Sequence, residues 1–176
     1  MKNLLVLIIA LFAFFGCGED ENSSANFKEF SPNEEVKLVD VSGKELTLVR
    51  KDHGFAIKND ENKVLMIDIF GTFCPPCQKE AAELTKYQLE NKDKFTLIGL
   101  THFENVTNEY VLHEFMQKFN AYYFITNDQK INDQKINDRL AEQIVRDIEY
   151  KHEIALPFKV VIKNGEYQIL TDVDSG

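Results

Sequence analysis

Cys74 and Cys77, separated by Pro75 and Pro76, are the side chains whose type and spacing are best suited to chemistry. On a helix, residues three apart lie one turn from each other with Cα atoms about 5–6 Å apart, within the span a disulfide requires. The pair follows a buried-looking run, Val64 to Phe70 (VLMIDIF), and opens a segment that reads as a helix from 74 to 91. Amide N–H groups at a helix start lack partners inside the helix and stabilise an anion such as a thiolate. That interaction is typically about 0.3–1 kcal/mol, up to about 2 when partly buried, and lowers a thiol pKa of about 8.5 by up to roughly 1.5. Cys74, at the helix end, gains most and is the expected attacker. Cys77, one turn in, is expected to be less exposed and to resolve the mixed disulfide. The two prolines cost little there, because first-turn N–H groups are unpaired in any case, and they stiffen the loop.

Other uses of the pair stay open. A metal site takes about four ligands, and two sulfurs supply half of them. The chain has 3 Cys, and His53, His102, His113 and His152 are far apart in sequence. A purely structural disulfide closing so short a loop stabilises little.

The elements that must position the pair read as one α/β domain within the 176 residues. Residues 36–41 and 45–50 alternate as a hairpin around Ser42-Gly43-Lys44, and a short strand follows at 55–58. VLMIDIF, apolar except for Asp68, suits a central strand covered on both faces. After the helix at 74–91 come a strand at 95–100 and a helix at 107–120, capped by Thr107 and striped by Val111, Leu112, Phe115, Met116 and Phe119. A strand at 121–125 and a helix at 134–151 follow. Pro157 then precedes a strand at 158–162, and Asn164-Gly165 turns the chain into a last strand at 167–170. The order predicts a mainly parallel sheet with helices on both faces. The pentapeptide 128–132 is repeated at 133–137, and a period of five fits neither helix nor strand. The expected result is a longer loop or helix start. The last strand is left without a covering helix, which points to a fragment or a missing C-terminal helix.

Net charge is −9, with 20 Lys and Arg against 29 Asp and Glu, which argues against a nucleic-acid binder. Three cysteines are too few for a disulfide-stapled scaffold. Lys2 and twelve unbroken apolar residues, Leu4 to Phe15, form the N-terminus. A helix of that length covers about 18 Å against a bilayer core of about 30 Å, so residues 1–16 read as a signal peptide. Phe14-Phe15-Gly16-Cys17 resembles the lipobox of bacterial lipoproteins, with Phe14 where Leu is usual. That resemblance implies cleavage before Cys17 and lipid on its sulfur. Ordinary signal cleavage or an uncleaved anchor is the alternative. Residues 17–35 are polar and acidic and read as a flexible tether of about 20–25 Å, with packing near Phe27 and Phe30 as the other reading. The folded domain is then 36–176.

Residues 36–176, and IDIFGTFCPPCQKE (67–80) most strongly, resemble the thioredoxin superfamily. The likeness is to its extracytoplasmic branch of membrane-tethered thiol-disulfide oxidoreductases, the TlpA-like, ResA-like and CcmG-type proteins. Phe73 stands where that family usually has Trp. Asp68, six residues before Cys74, occupies the place of the thioredoxins' buried Asp, and by analogy relays a proton to or from Cys77; an ion pair with a nearby Lys is the plainer reading. Glu80, one turn beyond Cys77, matches an acid near the active site of the ResA-like proteins, or is a solvated helix charge. Leu156-Pro157 resembles the family's cis-proline loop, which turns residue 156 toward the disulfide and lets it pair with an extended substrate. Phe73, Pro75, Pro76 and Leu156 are the implied substrate-binding residues.

The resemblance implies a thioredoxin-like fold with an N-terminal hairpin and a central β/α insertion. It implies no cofactor beyond the Cys74–Cys77 pair, no metal, and a monomer. The implied partners are protein disulfides, apocytochrome c among them, and a membrane thiol-reductase as electron donor. The implied place is the cell envelope, on a lipid anchor facing periplasm or exterior. The same chemistry run backwards is an oxidant or isomerase. A metal-handling lipoprotein like a copper chaperone, or a non-enzymatic surface lipoprotein, are the rivals from other classes.

Overall fold

The structure, a computed structural model, describes residues 27–127, 130–131 and 134–168. The segment read as a signal peptide, and Cys17, lie outside the described residues. Among those described, no helix is long and apolar enough to cross a membrane.

The first three strands, β1 (Glu35–Val39), β2 (Glu45–Arg50) and β3 (Phe55–Ile57), form an antiparallel sheet of their own in that order. The β1–β2 turn is fixed by Asp40, whose Oδ1 accepts from the Ser42 and Lys44 amides at 2.9 and 2.8 Å. Gly43 takes φ +91°, a value that favours glycine.

The central sheet has five strands in the order β10-β9-β4-β5-β6. β4 (Val64–Phe70), β5 (Phe95–Thr101) and β6 (Phe124–Thr126) are parallel. β9 (Phe158–Lys163) runs antiparallel to β4, and β10 (Glu166–Gln168) antiparallel to β9. The sheet is thus mixed, because the Asn164-Gly165 hairpin, at φ +55° and +79°, sends the last two strands in opposite directions. The expected strand at 167–170 is described as far as Gln168.

Alternation along β4 divides the core in two. Leu65, Ile67 and Ile69 face a layer made by the N-terminal sheet and α3 (Ile136–Asp147), whose Ile136, Leu140, Ala141 and Ile144 are buried there. Met66 and Phe70 face the other layer, made by α1 (Pro75–Glu90) and α2 (Asn108–Tyr110) with its continuation. That second layer holds Cys74, Cys77 and Ala81, so Asp68, at an even position of β4, lies on the α1 side of the sheet.

Three expectations are corrected in detail. The helix read at 107–120 begins as predicted, Thr107 accepting from the Tyr110 amide at 3.1 Å, but after Tyr110 it widens into a π-helix, Val111–Gln117. Its residues Val111, Phe115 and Met116 are buried together, a four-and-five spacing that the wider turn accommodates. The helix expected over 134–151 is shorter, because the duplicated pentapeptides pair with each other first. Lys130–Ile131 (β7) and Gln134–Lys135 (β8) form a small antiparallel ladder that ends where α3 begins. Finally, the tether does not reach residue 35. Phe30 is buried against Phe55, and Arg139 of α3 stacks 3.5 Å over the Phe30 ring while donating to Lys28 O, Glu29 O and Glu34. A guanidinium binding three acceptors and an aromatic face outweighs the polar character of the segment.

Candidate active site

β4 ends at Phe70, and three residues, Gly71, Thr72 and Phe73, carry the chain to Cys74. Glu104, on the loop after β5, holds this turn by accepting from the Thr72 amide at 2.9 Å and from its hydroxyl. Gln78 Nε2 donates to Thr72 O at 2.7 Å from the α1 side. The Phe73 ring folds back over Gly71 so closely that a Cβ there would lie 2.6 Å from it. Phe73 itself remains 57% exposed.

Cys74 is the N-cap of α1, with Pro75 and Pro76 in the first two helical positions. Its sulfur is bonded to that of Cys77, the Cα atoms 5.3 Å apart as the spacing predicts. The same Cys74 Sγ accepts from the Cys77 amide at 3.4 Å, one of the N–H groups that the helix leaves unpaired. Both cysteines are largely covered in this disulfide form, Cys74 at 5% exposed and Cys77 at 2%. The two values do not separate the cysteines, and Cys74 is less open in this form than the expectation of an accessible attacker. Pro75 and Pro76 are exposed beside it.

The Leu156–Pro157 bond is cis, and Leu156 packs against the apolar layer that contains both cysteines. Two residues on, Lys159 is the register partner of Asp68. Its Nζ stands 3.0 Å from Asp68 Oδ1 and also donates to Glu80 Oε1. The 3.0 Å contact is an ion pair without the alignment of a hydrogen bond, so Asp68 Oδ1 has no hydrogen-bond partner. Asp68 is 1% exposed, and burial pushes its carboxyl up to about 6 even though Lys159 pulls the other way and Glu80 adds to the rise. Tyr123, buried over Gly99 opposite Asp68, has its phenol pushed well above the usual range by burial, with Asp68 and Glu80 contributing. Among the described residues no group of His, Cys, Asp and Glu is arranged to hold a metal.

Asp68 is thus a buried acid on the cysteine side of the sheet that is paired with a lysine, the plainer of the two readings offered for it. Glu80 is likewise more than a solvated helix charge. Lys159 and Glu104 were not singled out in the sequence. A lysine inside the otherwise apolar run Phe158–Ile162 is a legible signal for the first. Nothing marks Glu104, whose partner Thr72 is 32 residues away.

No family model and no curated protein matches the chain. Solved structures do. The thioredoxin domain of a thiol-disulfide oxidoreductase from Bacteroides vulgatus is similar at 16% identity and TM-score 0.51, over 80% of this chain and 85% of that one. A thiol:disulfide interchange protein, described as a thioredoxin family protein, from Chlorobium tepidum is similar at 18% identity and TM-score 0.53, over 81% and 85%. StoA from Bacillus subtilis is similar at 14% identity and TM-score 0.51, over 78% and 86%. The fold that the chain shares with these structures is thioredoxin-like.

Proposed function

We propose that the protein is a membrane-tethered thiol-disulfide oxidoreductase that reduces protein disulfides in the cell envelope. The observation that carries this reading is the Cys74–Cys77 disulfide placed at the N-cap of α1, with Cys74 Sγ already accepting an N–H of the first turn. Once the pair is reduced, that N–H and its neighbours favour a Cys74 thiolate. The thiolate attacks one sulfur of a substrate disulfide, forming a mixed disulfide, and the other substrate sulfur leaves and takes a proton. Cys77 gives its proton to Asp68, directly or through water. Its thiolate then attacks the Cys74 sulfur, re-forming the 74–77 bond and expelling the second substrate sulfur, which is protonated in turn. An acid held near 6 by burial accepts and returns a proton close to neutrality. Exposed Phe73, Pro75 and Pro76 next to the pair in sequence, and Leu156 packed against its apolar layer, are the proposed contacts for an extended substrate chain.

No cofactor is needed beyond the cysteine pair. An oxidising compartment leaves such a pair oxidised, so net reduction draws electrons from a membrane thiol-reductase. Residues 1–16 as a signal, lipid on Cys17 and a short polar segment place the domain on a membrane, working as a monomer. The Cys-x-x-Cys-His haem site of apocytochrome c is the proposed substrate among protein disulfides. The neighbours named as a thiol-disulfide oxidoreductase and a thiol:disulfide interchange protein support the chemistry.

The test is an insulin- or peptide-disulfide reduction assay with Cys74→Ser, together with the equilibrium potential of the 74–77 pair against a dithiothreitol or glutathione series. Loss of activity and a potential well below the isomerase value of about −180 mV are expected. Wild-type activity in Cys74→Ser refutes the mechanism, and a potential near the about −120 mV of strong oxidants reverses its direction.

A further inference from the structure

Gly71 opens the turn that delivers the chain from β4 to Cys74, and its backbone does not ask for glycine. The positive-φ glycines among the described residues are Gly43 and Gly165, so Gly71 holds a backbone conformation open to other residues. What excludes a side chain there is space. The three atoms nearest to a Cβ on Gly71 would all be carbons of the Phe73 ring, at 2.6, 2.9 and 3.0 Å. That ring belongs to a side chain 57% exposed. Phe73 has no ring partner among the described residues, whereas the equally open Phe103 stacks on His102 with centroids 3.9 Å apart. The bare Gly71 backbone is thus a surface against which the Phe73 ring rests.

The turn beneath the ring is held from several sides. The Cys74 amide donates to Gly71 O at 3.1 Å, Thr72 donates from both its amide and its hydroxyl to Glu104, and Gln78 Nε2 donates to Thr72 O. The backbone is therefore the fixed partner and the exposed ring the movable one. A large apolar ring already held in one place beside Cys74 meets a substrate side chain without first losing rotamer freedom of its own. Resting on the reading of Cys74 and Cys77 as a redox pair, we propose that Gly71 is a positioning residue that sets specificity: its missing Cβ lets the Phe73 ring lie back on the turn as a fixed apolar ledge, and the ledge selects substrate disulfides that carry an apolar side chain beside the attacked cysteine. Gly71 touches no reacting sulfur. It acts through Phe73, and Phe73 acts on substrate affinity, not on the sulfur exchange itself.

The experiment is a double-mutant cycle on the full chain, with Gly71→Ala, Phe73→Ala and the two together. The substrates are two peptide disulfides, one with Leu and one with Asp next to the attacked cysteine, and the Gly71 Hα resonances are recorded by NMR alongside. Gly71→Ala is expected to raise KM for the Leu peptide about three- to tenfold, the range of one aromatic contact, with kcat within about twofold and the Asp peptide unaffected. Its thermal midpoint is expected not to fall, because an exposed ring swings aside where a packed one could not. Phe73→Ala is expected to show the same loss, and adding Gly71→Ala to it to change KM no further. The Gly71 Hα resonances of wild type are expected to be displaced by the ring current and to lose that displacement in Phe73→Ala. Losses that add in the double variant, or a Gly71→Ala variant with wild-type KM for the Leu peptide, would overturn the proposal. If Gly71→Ala does not fold, Gly71 Hα resonances that are the same in wild type and Phe73→Ala overturn it on their own. A wild type that reduces neither peptide sinks the redox reading instead, while the resonances still decide whether the ring rests on Gly71.

Discussion

Asp68 is a carboxyl held in the core beside a single ammonium, and its cost to the fold depends on pH. Burial raises its folded value to about 6 from 3.8, so between those limits the folded chain binds more protons than the unfolded one. Its contribution is therefore most favourable below about pH 4, declines as pH rises toward 6, and is a constant penalty above that. Asp68→Asn, neutral throughout, is expected to be more stable than wild type by roughly 2–3 kcal/mol at pH 7.5, at about 1.4 kcal/mol per unit of pKa, with the difference vanishing near pH 4. Urea unfolding at the two pH values measures it, and a gain that is equal at both contradicts the assignment. A second outcome concerns Cys77: Cys77→Ser is expected to accumulate a Cys74–substrate mixed disulfide visible by intact mass, because nothing is left to resolve it. At this scale spacing alone singled out Cys74 and Cys77 as a pair, whereas Asp68, Glu80 and Pro157 were legible only through the resemblance to a known family. Lys159 escaped because its meaning depends on strand pairing: it acquires two acidic partners only when β9 is laid antiparallel on β4.

Elements meet closely around Gly99, in the middle of β5 and paired with Asp68. A Cβ there would approach Phe70, Tyr123 and Ile125 at 2.9, 3.1 and 3.2 Å, so the glycine is needed for the close approach of three large side chains on the cysteine side of the sheet. Gly99→Ala is expected to lower stability by about 1–3 kcal/mol through overpacking, read as a drop in thermal midpoint. An unchanged midpoint would show that Tyr123 moves freely. Most strands and α1 were legible to within a residue or two, but β6 begins at Phe124, three residues after the expected start at 121. The π-helix was not, since its residues 111, 115 and 116 satisfy an ordinary helical stripe equally well and the wider turn is decided by what they pack against. Nor was the β7–β8 ladder, whose strands of two residues are too short for any period to show.

Across the whole molecule, a buried ion pair adds to the apolar packing that holds the N-terminal sheet on the thioredoxin-like core. Arg50 of β2 binds both oxygens of Asp147, the last residue of α3, with side chains 6% and 8% exposed. Gln143 and Tyr167 donate to the same carboxylate at 2.8 and 3.0 Å. Arg50→Met, which leaves Asp147 buried without its cation, is expected to cost about 3–5 kcal/mol, and Arg50→Met with Asp147→Leu to recover much of that loss in denaturant titrations. Equal losses in the single and double variants would contradict the ion-pair account. Composition marked Arg50 only as a strand residue, and 97 positions separate it from its partner, a distance no local pattern spans. The proposed function makes one demand of this architecture, that a sulfur anion form easily at the start of α1. The most direct measurement is the rate of iodoacetamide alkylation at each cysteine of the reduced, folded full chain as a function of pH. Cys74 is expected to react first, with a midpoint below the about 8.5 of an unperturbed thiol, while Cys77 stays unmodified. Modification of Cys77 ahead of Cys74, or a Cys74 that reacts no more readily than a free thiol, would contradict the account.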